Sequence, residues 1–130
     1  MKAHQALEHL QALAALEKKS LPVKISFAVS VNIEKLNETA KQVEKQRIAI
    51  LEKFSKKDED GKPLIEENRY QIEEGSMEEV TGQVTELMEE DVDVASRKVS
   101  VDALQQCDEN DKYDTLTPGE LLSISFMIEG

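Results

Sequence analysis

Few residues in this chain have the sharp chemistry that catalysis or metal binding needs. His4 and His9 stand five positions apart near the N-terminus. A helical metal pair needs i, i+4 spacing so that both rings share a face, and the intervening Glu8 does not complete a metalloprotease motif. Cys107 is the single cysteine, so it forms no internal disulfide, and no histidine lies near it in the sequence to take its proton. In the sequence it reads as an incidental thiol in a polar loop over 107–116. Two acidic stretches invite a calcium reading. Asp58-Glu59-Asp60-Gly61 puts glycine at the fourth position where an EF-hand loop needs it at the sixth. Asp108 to Gly119 has Lys112 at a ligand position and no glutamate at the twelfth. Both read as solvated loops.

The glycines, at 61, 75, 82, 119 and 130, build no phosphate loop, dinucleotide fingerprint or nucleophile elbow. No catalytic residue, metal ligand or cofactor is therefore expected, and binding is favoured over catalysis.

The most abundant reactive groups are carboxylates, and their placement is uneven. Of 130 residues, 27 are Asp or Glu and 16 are Lys or Arg, a formal net charge of −11. Residues 1–55 hold 9 basic and 6 acidic side chains, net +3, whereas residues 56–130 hold 7 basic and 21 acidic, net −14. So acidic a chain is a poor holder of phosphate backbones, which are bound by Lys and Arg. Direct nucleic-acid binding is not expected. The densest run holds Glu73, Glu74, Glu78, Glu79, Glu86, Glu89, Glu90, Asp91 and Asp93. It reads either as a partner-binding acidic face, in its extreme form a mimic of nucleic acid, or as a solvated helix face that keeps the protein soluble.

The elements that carry these residues follow from apolar periodicity. Residues 4–19, with Leu7, Leu10, Ala14 and Leu16 near one stripe, read as an amphipathic helix ended by Ser20-Leu21-Pro22. A second helix is expected from Pro22 to about Ser55. Its seam is Val29, Ile33, Leu36, Ala40, Val43, Arg47, Ile50 and Phe54, steps of four and three broken only by Arg47. That seam packs on another helix or on a second copy of the chain. Alternation from Val23 to Val31 leaves a short strand at 23–28 as the competing assignment. At about 1.5 Å per residue such a helix is about 50 Å long, more than one small globule covers easily. Either the first helix covers one half and the acidic part of the chain the other, or a second copy does.

Beyond it, Asp60-Gly61 and Pro63 mark a turn. Tyr70 with Ile72, Val92 with Val94, and Val99 with Val101 suggest a two- or three-stranded antiparallel sheet. Ser76 and Glu79 have capping-box spacing for an acidic helix over 77–90, in which Gly82 is a weak point. Thr117-Pro118-Gly119-Glu120 has the same spacing, ahead of an apolar closing helix expected to dock into the core. The expected fold is α+β and mainly helical, one domain over 1–130 with a helical scaffold at 1–55 and an acidic half at 64–130. With no secretion signal and no apolar run of about 18 residues, a cytoplasmic protein without membrane contact is expected.

The order of several segments resembles a known group. These are Leu-Pro-Val-Lys at 21–24, Lys-Asp-Glu-Asp-Gly-Lys-Pro at 57–63, and Glu-Glu-Asp-Val-Asp-Val at 89–94. Val101-Asp102-Ala103-Leu104 and Thr117-Pro118-Gly119-Glu120-Leu121-Leu122 follow. In this the chain is similar to small uncharacterised proteins of tailed phages and prophages, a family of unknown function. The resemblance implies a phage product acting in the bacterial cytoplasm or in virion assembly, and it carries no catalytic residue onto any position. Two functional expectations result: a non-catalytic binder of a host protein, such as a defence component, or a homo-oligomeric virion accessory protein.

Overall fold

The computed structural model describes residues 1–129; Gly130 lies outside the described residues. Helix α1 runs Ala3–Leu16 and helix α2 runs Val23–Phe54. Pro22 sits buried at the α2 N-cap, where its lack of an N–H costs nothing, and its carbonyl accepts from the Ile25 and Ser26 N–H groups, each at 3.0 Å. Ile25, Ala28, Val29, Asn32, Leu36 and Val43 face inward. Helical spacing therefore overrides the alternation at 23–28, and no strand forms there.

The length of α2 is covered from within the chain. The short turn before Pro22 folds α1 back along its first half. Helix α3, Met77–Met88, lies along its second half. The two covering helices join end to end: the Ala3 N–H donates to the Glu90 carbonyl at 2.9 Å, and the Val92 N–H donates to the Met1 carbonyl at 2.8 Å. Strands β1, Ile65–Glu66, and β2, Arg69–Tyr70, pair antiparallel beyond the far end of α2. Glu67 and Asn68 turn the hairpin at φ 53° and 63°, the left-handed pair that matches strand twist. Gly61, at φ 79°, supplies the positive φ expected of the preceding turn.

The remaining chain closes over the first half of α2. Helix α4 runs Val101–Glu109, helix α5 runs Pro118–Ser123, and a 3-10 turn covers Ser125–Met127. Val99, Ala103, Cys107, Ile124 and Met127 pack with Ala6, Leu13, Leu16, Leu21, Ile25, Ala28, Val29 and Leu36 in one cluster. The α5 start makes the expected capping box: Thr117 Oγ1 accepts from the Glu120 N–H at 3.2 Å, and Glu120 Oε1 accepts from the Thr117 N–H at 2.9 Å. Lys19 Nζ donates to the same carboxylate at 2.8 Å, tying the end of α1 to α5.

The architecture is α+β and mainly helical. Four local expectations differ from it. Val92, Val94 and Val99 lie in extended chain without a ladder, and Val101 begins α4, because the Ser100 hydroxyl accepts from the Ala103 N–H at 3.1 Å and caps a helix there. Ile72 makes only an isolated bridge with Ser55, so β2 ends at Tyr70. Ser76 starts α3 without a side-chain cap, since its backbone is already helical at φ −97°, ψ −7°. Cys107 is a buried residue of α4, not part of a polar loop.

Candidate functional site

Helix α3 sorts its residues by face. Val80 is buried, and Val84, Leu87 and Met88 are half-buried toward α2. At about 100° per residue, Glu78, Glu79 and Glu86 fall on the side away from Val80, and Glu89 and Glu90 follow directly after the helix end at Met88. All five are exposed, as are Glu73 and Glu74 in the turn before the helix and Asp91 and Asp93 in the extended chain after it. The structure thus places three of the nine carboxylates on the outer face of α3 and the other six in the segments that flank it.

Neutralisation along the stripe is slight. Lys2 lies 3.5 Å from Asp91, and His4 Nε2 lies 3.6 Å from Glu89. Gln83 Nε2 donates to Glu79 at 2.9 Å without changing its charge.

The seam on α2 is internal. Val29, Leu36 and Val43 are buried, and Ile33, Ala40, Arg47, Ile50 and Phe54 are half-buried. Arg47, the one polar residue of the seam, turns its guanidinium to Glu44, with Nε donating to Oε2 at 2.9 Å. That contact holds the Glu44 carboxyl below its ordinary range.

The isolated reactive side chains also find structural places. His9 stacks on Phe126 with ring centroids 4.0 Å apart, and burial lowers its imidazole pKa below 6.5. Burial raises the Cys107 thiol, and Asp108 adds to the rise, which keeps it in the unreactive protonated form. Among the described residues, no three His, Cys, Asp or Glu side chains converge as metal ligands. No helix among them is long and apolar enough to cross a membrane.

One constellation was not anticipated from the sequence. Asn32 is completely buried in α2, and its amide grips one residue of the extended segment: Oδ1 accepts from the Arg97 N–H at 2.7 Å, and Nδ2 donates to the Arg97 carbonyl at 3.0 Å. The Arg97 guanidinium then lies over the exposed Phe27 ring, 4.8 Å from its centroid. Asn32 sits at the centre of the inward face of α2. An amide in that register is the single sequence signal that would have marked the contact, because a buried amide must find partners.

No family model, curated protein or solved structure matches this chain.

Proposed function

We propose that this chain is a non-catalytic, phage-encoded protein-binding protein that acts in the bacterial host cytoplasm, where it modulates or inhibits a host protein such as a defence component. The contact surface is the outer face of α3 with the flanking Glu73, Glu74, Glu89, Glu90, Asp91 and Asp93. The observation that supports this reading is the run of five exposed glutamates along the outer face of α3 and just past its end, Glu78, Glu79, Glu86, Glu89 and Glu90. Their mutual repulsion opposes folding, and α3 already packs on α2 through Val80, Val84 and Leu87, so the stripe adds nothing to that packing. A partner with a basic face recovers the repulsion on binding and is drawn in at long range. The phage setting rests on the resemblance carried by residues 21–24, 57–63, 89–94, 101–104 and 117–122.

The alternative, a homo-oligomeric virion accessory protein, needs a surface other than the 29–54 seam, because Val29, Leu36 and Val43 are buried within the chain.

The test is affinity capture from phage-susceptible bacteria, with the wild-type chain compared against the combined variant Glu78→Lys, Glu79→Lys, Glu86→Lys and Glu90→Lys. A specific host protein is expected with the wild type at low salt and is expected to be lost with the variant. Capture that survives the charge reversal overturns the assignment of this face. Recovery of virion proteins in place of a host protein turns the reading to assembly.

A further inference from the structure

The end of α2 remote from the start of α3 carries the opposite chemistry. Val23 and Phe27 leave 82% and 52% of their surfaces exposed there, one turn apart on the outer side of the helix. With Lys24, Arg97, Lys98 and Glu129 they line a cleft of about 380 Å³. Among the described residues, three cations and one carboxylate border an apolar floor, on a chain whose net charge is −11.

Arg97 is held in place from two directions. Asn32 fixes its backbone through both the N–H and the carbonyl, and Phe27 supports the guanidinium plane. A guanidinium resting on a ring keeps its N–H edge free for a carboxylate, and it loses little rotamer freedom on binding one. Lys98 Nζ is anchored on the Phe126 carbonyl and keeps its charge at the rim.

The matching surface is on the same molecule but out of reach. Glu73 donates its N–H to the Phe54 carbonyl at 2.8 Å, so Glu73, Glu74, Glu78 and Glu79 gather around the far end of α2. A helix of 32 residues separates the two ends by about 48 Å at 1.5 Å per residue. The exposed Met77, 58% accessible, stands among these carboxylates as an apolar group for the Val23 and Phe27 floor.

We propose that the cleft at Phe27 and Arg97 docks a second copy of this chain, taking the start of its α3, so that copies associate head to tail. Such a contact is heterologous: each copy keeps one free cleft and one free acidic end, and association continues until a ring closes or a filament grows. The contact does not depend on any host protein, and the purified full chain alone tests it.

Mass is measured by light scattering and sedimentation from micromolar to millimolar protein, in about 0.01 M and about 1 M salt, where the screening length falls from about 30 Å to about 3 Å. The average mass is expected to climb above the 14.6 kDa monomer with concentration in low salt and to return to it in high salt. Arg97→Glu, and separately Glu78→Lys with Glu79→Lys, are each expected to weaken association by about tenfold or more. Phe27→Ala, which leaves every charge in place, weakens it as well. Mixed together, the two charge-reversed proteins pair one to one at wild-type strength and stop at a dimer, because each retains the surface the other lacks. A monomer throughout in low salt, association unaffected by Arg97→Glu, or failure of the mixture to pair overturns the proposal.

Discussion

The two halves of α2 are one continuous helix with one continuous apolar seam, yet they are held very differently. The first half buries Ile25, Ala28, Val29, Asn32 and Leu36 under α1, α4 and the closing 3-10 turn. In the second half Val43 is the only buried residue of the helix, and Ile48, Ile50, Leu51 and Phe54 stay half-buried beneath α3 and the hairpin. Equal spacing of apolar residues thus does not imply equal burial. Burial depends on how many elements converge on a segment, and three converge on one end while a helix and a two-stranded ribbon reach the other. The charged surfaces follow the same division: the densely packed half presents the cationic cleft, and the thinly packed half presents the acidic stripe.

The sharpest way to break this comparison is a pair of matched truncations. Ile25→Ala removes a fully buried side chain from the dense half and is expected to cost about 3 kcal/mol. Ile50→Ala removes the same atoms from a half-buried site in the thin half and is expected to cost about 1 kcal/mol, since less surface returns to water and solvent fills the gap. Urea denaturation measures both, and equal losses would show that the two halves are held alike.

Asn32→Ala tests whether the clamp belongs to the dense half's stability. It leaves the Arg97 N–H and carbonyl without their partner, and a loss of about 2 kcal/mol is expected in the same titration. Head-to-tail association should weaken in the folded variant too, because Arg97 is then no longer held in register.

The smallest effect is the pH dependence contributed by His9, which packs against Phe126 on the dense side. Burial lowers its folded pKa below the 6.5 of the free side chain. Between those two values the unfolded chain binds more protons than the folded one, so stability is lost as pH falls through 6.5 toward the folded pKa. His9→Gln is expected to flatten that slope, as read by thermal melts between pH 7 and pH 5. An unchanged slope would place the titration elsewhere.

Much of the helical scaffold was legible because its signals are local. The step of three and four from Val29 to Phe54, the proline before Val23, and the Thr117 to Glu120 capping box each act within a few residues. Each element formed close to its expected bounds. The errors came where a short-range pattern had two solutions. Val99 and Val101 alternate like a strand, but a strand needs a partner, and the Ser100 cap satisfies the backbone locally as a helix. Glu67 and Asn68 carry no glycine, so the hairpin turn between β1 and β2 gave little warning. Cys107 looked loop-bound because its neighbours are polar, although Ala103, Leu104 and Cys107 share one helical face.

The acidic stripe was legible as composition, and its restriction to the outer side of α3 follows from the positions of Val80, Val84 and Leu87 in the same helix. The Phe27 and Arg97 cleft was not legible, because 70 residues separate its two defining side chains and only the fold brings them together. By itself the sequence determined where α1, α2 and α3 lie, how charge divides along the chain, and the apolar seam of α2, since backbone hydrogen bonding and apolar periodicity act over a few residues. Only the tertiary structure decided that α1 and α3 cover α2 in tandem, that Asn32 grips Arg97, and that opposite charges end up at opposite ends of one long helix. Those outcomes depend on contacts between distant segments, whose closure entropy is repaid only when the whole core assembles.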